Sequence, residues 1–351
     1  MKTMVDTYDA ILLVSFGGPE GPDDVMPFLE NVLRGKNVPH ERMLAVAEHY
    51  HQFGGVSPIN GQNRELIVAL ENELAKNGPQ LPIYWGNRNW HPLLTDTFAQ
   101  MKAAGISRAL GLFTSAYSSY SGCRQYRENI EQAQSEVGEG AAKFDKIRVF
   151  FNHPGFVATM VDRVNEALEQ IPAQRRQTTR LVYTAHSIPL SMAAGCRYAL
   201  QLGEACRLVS EQVGPYQYQL VYQSRSGPPS QPWLEPDVCD YIQQTKDGGE
   251  IDDLVVVPIG FLSDHIEVLF DLDTEAMKLC QELGINMVRA KTPGTHPKFI
   301  RMIGDLIRER TQDGEHMALD KMGPSHDVCP QDCCLMGERP ERSSAAAQQQ
   351  K

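Results

Sequence analysis

The sequence predicts an α/β protein of two similar lobes, each a parallel β-sheet with helices on both faces. Two observations carry that expectation. Short, β-rich apolar runs alternate with longer amphipathic stretches, the pattern of strand–helix–strand units whose strands lie parallel. Local motifs of the first half then recur in the same order about 150–170 residues later, too long a period for a solenoid and right for a duplicated α/β unit. The length of 351 residues also favours two cores over one.

Taken in order, the first half offers strands at 10–15 (AILLVS), 83–86 (IYWG), 108–113 (RALGLF) and 147–151 (IRVFF). The second offers 180–184 (RLVYT), 219–223 (QLVYQ), 253–258 (DLVVVP) and 286–289 (NMVR). Helical periods fall between them at 62–76, 93–104, 124–136 and 157–170, then at 198–213, 238–245, 268–283 and 297–309. The matched motifs are ILLVSFGGP with LVYTAHSIP, WGNRNW with YQSRSG, and FTSAYSSYSGC with PIGFLSDHIE. The expected lobes are 1–175 and 176–312, followed by a cysteine-containing tail at 313–351. That tail has neither a helix nor a strand period, and its final Ser/Ala/Gln run reads as a flexible end.

Hydrophobic residues make up 42% and charged residues 22%, a globular balance that excludes disorder. Apolar runs such as 254–262 are too short to span a bilayer, so no integral membrane segment is expected. The opening MKTMVDTYDA lacks the apolar region of a secretory signal, so a cytoplasmic location is expected. The net charge of −11 disfavours nucleic acid as a partner. Of eight cysteines, five are scattered, whereas Cys329, Cys333 and Cys334 crowd into six residues, which in a reducing compartment points to metal before disulfides.

In an open parallel sheet the ligand crevice lies beyond the carboxyl ends of the strands where strand order reverses, usually between the first and third strands. In the second half these positions hold TAHSIP and FLSDHIE, so His186 and Glu267 are expected to face one another although 81 residues apart. A neutral imidazole accepts a proton or donates a lone pair to a metal, and a carboxylate beside it supplies charge and a second base. On a helix, Asp264, Glu267 and Asp271 would share a face, joined by His265, as a path for metal inward or protons outward. Asp271 and Asp273 fit a solvated, acidic helix start equally well. In the first half, FGGP and GGVSPIN are glycine-rich loops without a nucleotide-binding signature. SAYSSYSGCRQYR offers tyrosine faces and arginine forks for a flat aromatic ligand with carboxylate arms.

Over nearly all of residues 9–310 the sequence resembles the ferrochelatases, through LLVSFGGPEGPDDVMPFLENV, HYHQFGGVSPIN, YTAHSIP, YQSRSGPPSQPWLEP and PIGFLSDHIEVLFDLD. TAHSIP followed about eighty residues later by SDHIE is the specific part of that match. The resemblance implies two Rossmann-like lobes of the chelatase type enclosing a porphyrin cleft, and a lyase of haem biosynthesis that inserts Fe²⁺, its metal substrate, into a porphyrin. It implies His186 and Glu267 as the catalytic and iron-binding pair, with their division of labour open, and Ser57 and Tyr126 as porphyrin contacts. FGGPEGPDDVMPFLENV, GGVSPIN and the polar stretch after Phe28 look most like the soluble monoderm type that uses coproporphyrin III, with protoporphyrin IX as the alternative. Other haem-biosynthesis enzymes are then candidate partners.

Several members of the resembled family hold a [2Fe–2S] cluster by three tail cysteines and one in the body, which implies Cys329, Cys333, Cys334 and Cys123 as candidate ligands. The tail here reads CPQDCC instead of the more widely spaced pattern, and a redox-inert or zinc-binding tail is the competing reading. A tetrapyrrole or metal carrier is the rival of another class. It would need the aromatic and arginine loop but no base pair opposite it. Insertion of Co²⁺ or Ni²⁺ into another tetrapyrrole is the rival enzyme.

Overall fold

The computed structural model describes residues 7–36, 38–227, 230–249 and 251–337. The final Ser/Ala/Gln run lies outside them. The first half runs β1 (Ala10–Ser15), α1 (Val25–Leu33), α2 (His40–Gln52), α3 (Ile59–Asn77), β2 (Ile83–Asn87), α4 (Leu94–Ala103), β3 (Arg108–Phe113), α5 (Gln125–Val137), β4 (Lys143–Lys146) and α6 (Pro154–Leu168). The second runs β5 (Arg180–His186), α7 (Leu190–Ala194), α8 (Tyr198–Val213), β6 (Tyr218–Gln223), α9 (Val238–Asp247), β7 (Asp253–Val257), α10 (Ile266–Val268), α11 (Met277–Glu282), β8 (Asn286–Arg289) and α12 (Pro297–Thr311).

Both sheets are four-stranded and wholly parallel, ordered β2-β1-β3-β4 and β6-β5-β7-β8. The two orders are the same topology, so the repeated motifs mark a repeated unit. AILLVS and DLVVV are buried along their whole length, as central strands covered on both faces must be. The symmetry reaches an irregular feature too. After the third strand of each sheet the helix begins or continues with π-type turns, at Tyr120–Arg124 and at Leu269–Ala276.

The largest apolar cluster belongs to both halves, with Leu13, Leu70 and Phe156 packed in one body with Tyr183, Val257 and Ile303. Helix α12 bridges them by packing on α3 and α6. Polar links add register. The Tyr117 hydroxyl donates to the Ile259 carbonyl at 3.0 Å, and Gln201 bonds Ser118 in both directions.

One expected strand is displaced. The fourth strand is the polar Lys143–Lys146 at the sheet edge, not the apolar 147–151. Ile147 still donates to Gly111 at 2.8 Å, but the amides of Phe150 and Phe151 turn to the Ala116 carbonyl, and Arg148 dives into the core. There its guanidinium forks onto Glu309 of α12 at 2.7 and 2.8 Å. Hydrophobicity selected the buried segment, whereas the ladder selected the edge. Helices α1 and α2, in a stretch expected only to be polar, form a small satellite core around Phe28, Tyr50 and Trp90.

Candidate active site

The carboxyl end of β5 presents His186, and the chain after β7 returns beside it because Gly260 has no side chain. A Cβ at Gly260 would lie 2.6 Å from Ala185 Cβ and 2.7 Å from its Cα. At that contact the Gly260 amide donates to the Thr184 carbonyl at 3.0 Å. The result is a His186 Nε2 to Glu267 Oε2 separation of 3.6 Å, with the two side chains 35% and 49% exposed, open to a ligand in the crevice. The Nδ1–H of His186 donates to the Ser187 carbonyl, which leaves the Nε2 lone pair toward Glu267 and the crevice. The pair can therefore accept protons or hold a divalent metal.

Two corrections concern the acidic string. His265, in extended conformation, caps a helix that starts at Ile266, so Asp264 precedes the helix and does not share the face of Glu267 and Asp271. The Asp264 carboxylate instead joins Asp273 around Arg289 of β8, at 3.1 Å and 2.5 Å, because a half-buried guanidinium needs compensating charge. Its amide donates to Gln62 of α3 at 2.9 Å, tying this loop to the other lobe. The half-buried His265 packs edge-on against Phe261, and burial lowers its pKa, opposed by the charge of Glu267.

Asp271 stands apart from these. It accepts from Gln223 Nε2 at 3.1 Å and from the Ser224 hydroxyl, and burial first, then the Glu267 charge, lifts it from 3.8 to about 7. Across roughly pH 4 to 7 the folded chain thus keeps a proton the unfolded chain has released. The stability linked to that proton is complete below about pH 4 and is lost as pH rises through about 7. Asp271→Asn still accepts both hydrogen bonds without that loss. Its melting temperature relative to the parent should climb between about pH 4 and 8, and a difference independent of pH would contradict the assignment.

The first lobe closes the crevice from the other side. His49 stacks on Phe270 with centroids 3.6 Å apart, and the Tyr50 hydroxyl is held protonated by burial and by the Glu267 charge. Its loops are stitched together by buried asparagines. Asn60 donates to the Gly18 carbonyl at 3.1 Å and accepts from Asn87 at 3.3 Å. The Ser57 amide donates to Pro19 at 2.9 Å, with its buried side chain against Gly18, where a Cβ would fall 2.6 Å from that of Ser57.

The tyrosine-rich loop departs from the expected arrangement. Tyr117 is buried in the core, Tyr120 donates to Glu128 at 3.0 Å, and Arg124 is held by Glu128 and by tail carbonyls. Tyr126 is buried and stacked on Phe113. Over its other neighbours lies a group the motif reading passed by: the Arg88 guanidinium sits 4.8 Å from the Tyr126 ring and 5.6 Å from that of Phe16, bonded to Asn129 at 2.7 Å. Burial lowers its pKa, opposed by Tyr126 and by the charge of Glu128. The signal was available, since WGNRNW and YQSRSG both place arginine just past the second strand.

The tail is folded back on the first lobe. Arg148 reaches the Met317 carbonyl at 2.8 Å, Asn152 reaches Asp320 and Gly323 at 2.9 Å each, and Arg124 reaches Gln331 at 2.8 Å. Cys329 thereby meets Cys123, and Cys333 touches Cys334 at 3.6 Å, all four as free thiols. The Cys329 thiol is held far below its usual range by the hydrogen bond from Cys123, helped by the Lys146 charge.

The family model described as Ferrochelatase matches residues 8–311. A protein named Ferrochelatase from Rhodopirellula baltica is 62% identical over 333 residues, covering 95% of each chain. A Coproporphyrin III ferrochelatase from Streptomyces coelicolor is 49% identical over 350 residues, covering 93% of each. Another, from Nocardia farcinica, is 47% identical and covers 97% of this chain and 99% of its own. Among solved structures, the sirohydrochlorin chelatase SirB from Bacillus subtilis subspecies spizizenii, in complex with cobalt, superposes with a TM-score of 0.49 at 12% identity, covering 88% of this chain and 97% of that one. The chain belongs to the ferrochelatase family, lyases of haem biosynthesis that insert iron into a porphyrin. No helix among the described residues is long and apolar enough to cross a membrane.

Proposed function

We propose that this chain inserts Fe²⁺ into coproporphyrin III, with His186 and Glu267 as the catalytic pair. The observation that carries the pair is the 3.6 Å approach of His186 Nε2 to Glu267, with Nδ1 already committed to the Ser187 carbonyl. Metallation exchanges two pyrrole N–H protons for one Fe²⁺. In this reading Nε2 takes the two protons in turn, releasing the first outward before it accepts the second, and Glu267 stabilises the imidazolium and balances the arriving cation. Asp271, poised at about 7, relays protons outward along the π-helical wall. Asp264 and His265 shape that wall instead of carrying protons, since Asp264 is engaged by Arg289.

Ser57 and Tyr126, both buried, back the walls that meet the porphyrin, and Arg88 between Phe16 and Tyr126 anchors a propionate. A desolvated guanidinium held between two aromatic rings gains most from a carboxylate. The choice of the four-propionate macrocycle is supported by the Streptomyces and Nocardia relatives, whose names carry that substrate. Purified enzyme with ferrous iron should metallate coproporphyrin III with a kcat/KM at least about tenfold above that for protoporphyrin IX, a difference near 1.4 kcal/mol. Equal or inverted values would return the substrate to protoporphyrin IX.

A further inference from the structure

Arg289 ends β8, at the carboxyl end of its sheet, where the crevice lies. We infer that it is a positioning residue for iron insertion, one that fixes Glu267 against His186 by clamping the chain on both sides of it. The inference rests on the reading of those two side chains as the catalytic pair. Asp264 stands three residues before Glu267, and Asp273 six residues after it. Arg289 Nε and Nη2 fork onto the two oxygens of Asp273 at 2.5 and 2.9 Å, while Nη1 and Nη2 reach those of Asp264 at 3.1 and 3.5 Å. One guanidinium thus joins the two ends of the segment that carries Glu267 and Asp271. The Arg289 side chain is only 16% exposed, so solvent screens these pairs little.

What lies between those ends does not hold itself in place. It begins as a helix of three residues, Ile266–Val268, and passes at once into the π-type turns of Leu269–Ala276. So short a helix is not stable alone, and π-turns are rare enough that tertiary contacts must select them over the α register. Other ties act at one end. The Asp264 amide donates to Gln62 at 2.9 Å, and Thr292 donates to the Asp264 carboxylate at 3.4 Å. Gln223 Nε2 reaches the Glu267 carbonyl at 3.4 Å and Asp271 at 3.1 Å. The Arg289 fork differs in reaching both sides of Glu267. The Glu267 side chain is itself 49% exposed, so its place 3.6 Å from His186 Nε2 follows from where the backbone is held. Lysine cannot replace this clamp, because an ammonium is a point charge whereas the guanidinium spreads its donors over a fixed planar fork.

The test is the single-turnover rate of iron insertion into prebound coproporphyrin III, with porphyrin affinity and melting temperature. It uses full-length Arg289→Lys and Asp273→Ala, each in the parent and in Glu267→Gln. Arg289→Lys keeps a charge opposite the carboxylates, and Asp273→Ala leaves Arg289 paired with Asp264, so both should fold. Each should still lose at least about tenfold in rate while porphyrin affinity stays within about threefold, because Glu267 moves and the porphyrin walls do not. In the Glu267→Gln background either change should cost less than about threefold, since the group being positioned is already gone. A folded Arg289→Lys with parental rate, an affinity loss as large as the rate loss, or rate losses that multiply with that of Glu267→Gln would each overturn the assignment. Parental rate in Glu267→Gln itself would overturn the catalytic pair and this assignment with it. A slowed Glu267→Gln beside a parental-rate Arg289→Lys would overturn this assignment alone.

Discussion

His186→Ala is expected to lower porphyrin metallation by about 10²–10⁴-fold, the range of a lost general base, while porphyrin affinity changes little. The imidazole has one nitrogen committed to its own loop and the other facing Glu267, so its removal takes away a proton acceptor and no wall of the crevice. The fold should survive, because the side chain is partly exposed and the backbone contacts of β5 do not depend on it. Stopped-flow metallation, with fluorescence quenching for binding, separates the two effects. Near-parent turnover, or loss of binding equal to loss of rate, would remove His186 from the chemistry.

Gly260→Ala should be the next most damaging change, although the residue touches no reacting atom. Its Cβ would enter the space of Ala185 at 2.6 Å from a neighbouring Cβ and 2.7 Å from backbone, so the loop after β7 must lift. Overpacking of this kind costs about 1–3 kcal/mol, visible as a lower melting temperature. Lifting the loop also moves Glu267 away from His186, and a displacement near 1 Å costs about 10²-fold in rate. A variant with lowered stability but parental kcat would show that the loop position is not what makes the site.

Much of this arrangement was legible in the residues. The strands at 10–15, 108–113 and 286–289 fall where the apolar runs place them, and parallel pairing followed from the alternation with helices. TAHSIP and SDHIE follow the first and third strands of one sheet, which is why His186 and Glu267 lie together although 81 residues apart. The misplacements share a physical cause, which is that ladders and partners are tertiary. The edge strand Lys143–Lys146 is polar, so its hydrophobicity was silent, while Arg148 sits in an apolar run because Glu309, 161 residues away, neutralises it. Asp264 looked like a helix-face carboxylate because nothing local announces Arg289 as its partner. The π-turns and the stacked Arg88 likewise depend on chain segments remote in sequence.

The central claim is that His186 and Glu267 act as one unit in metallation, and a double-mutant cycle tests it most directly. Single-turnover rates of iron insertion would be measured with porphyrin prebound for the parent, His186→Ala, Glu267→Gln and the double variant. A shared step predicts that the double variant is no slower than the worse single variant, within about threefold. Rate losses that multiply would mean that the two side chains act independently, and would contradict the account.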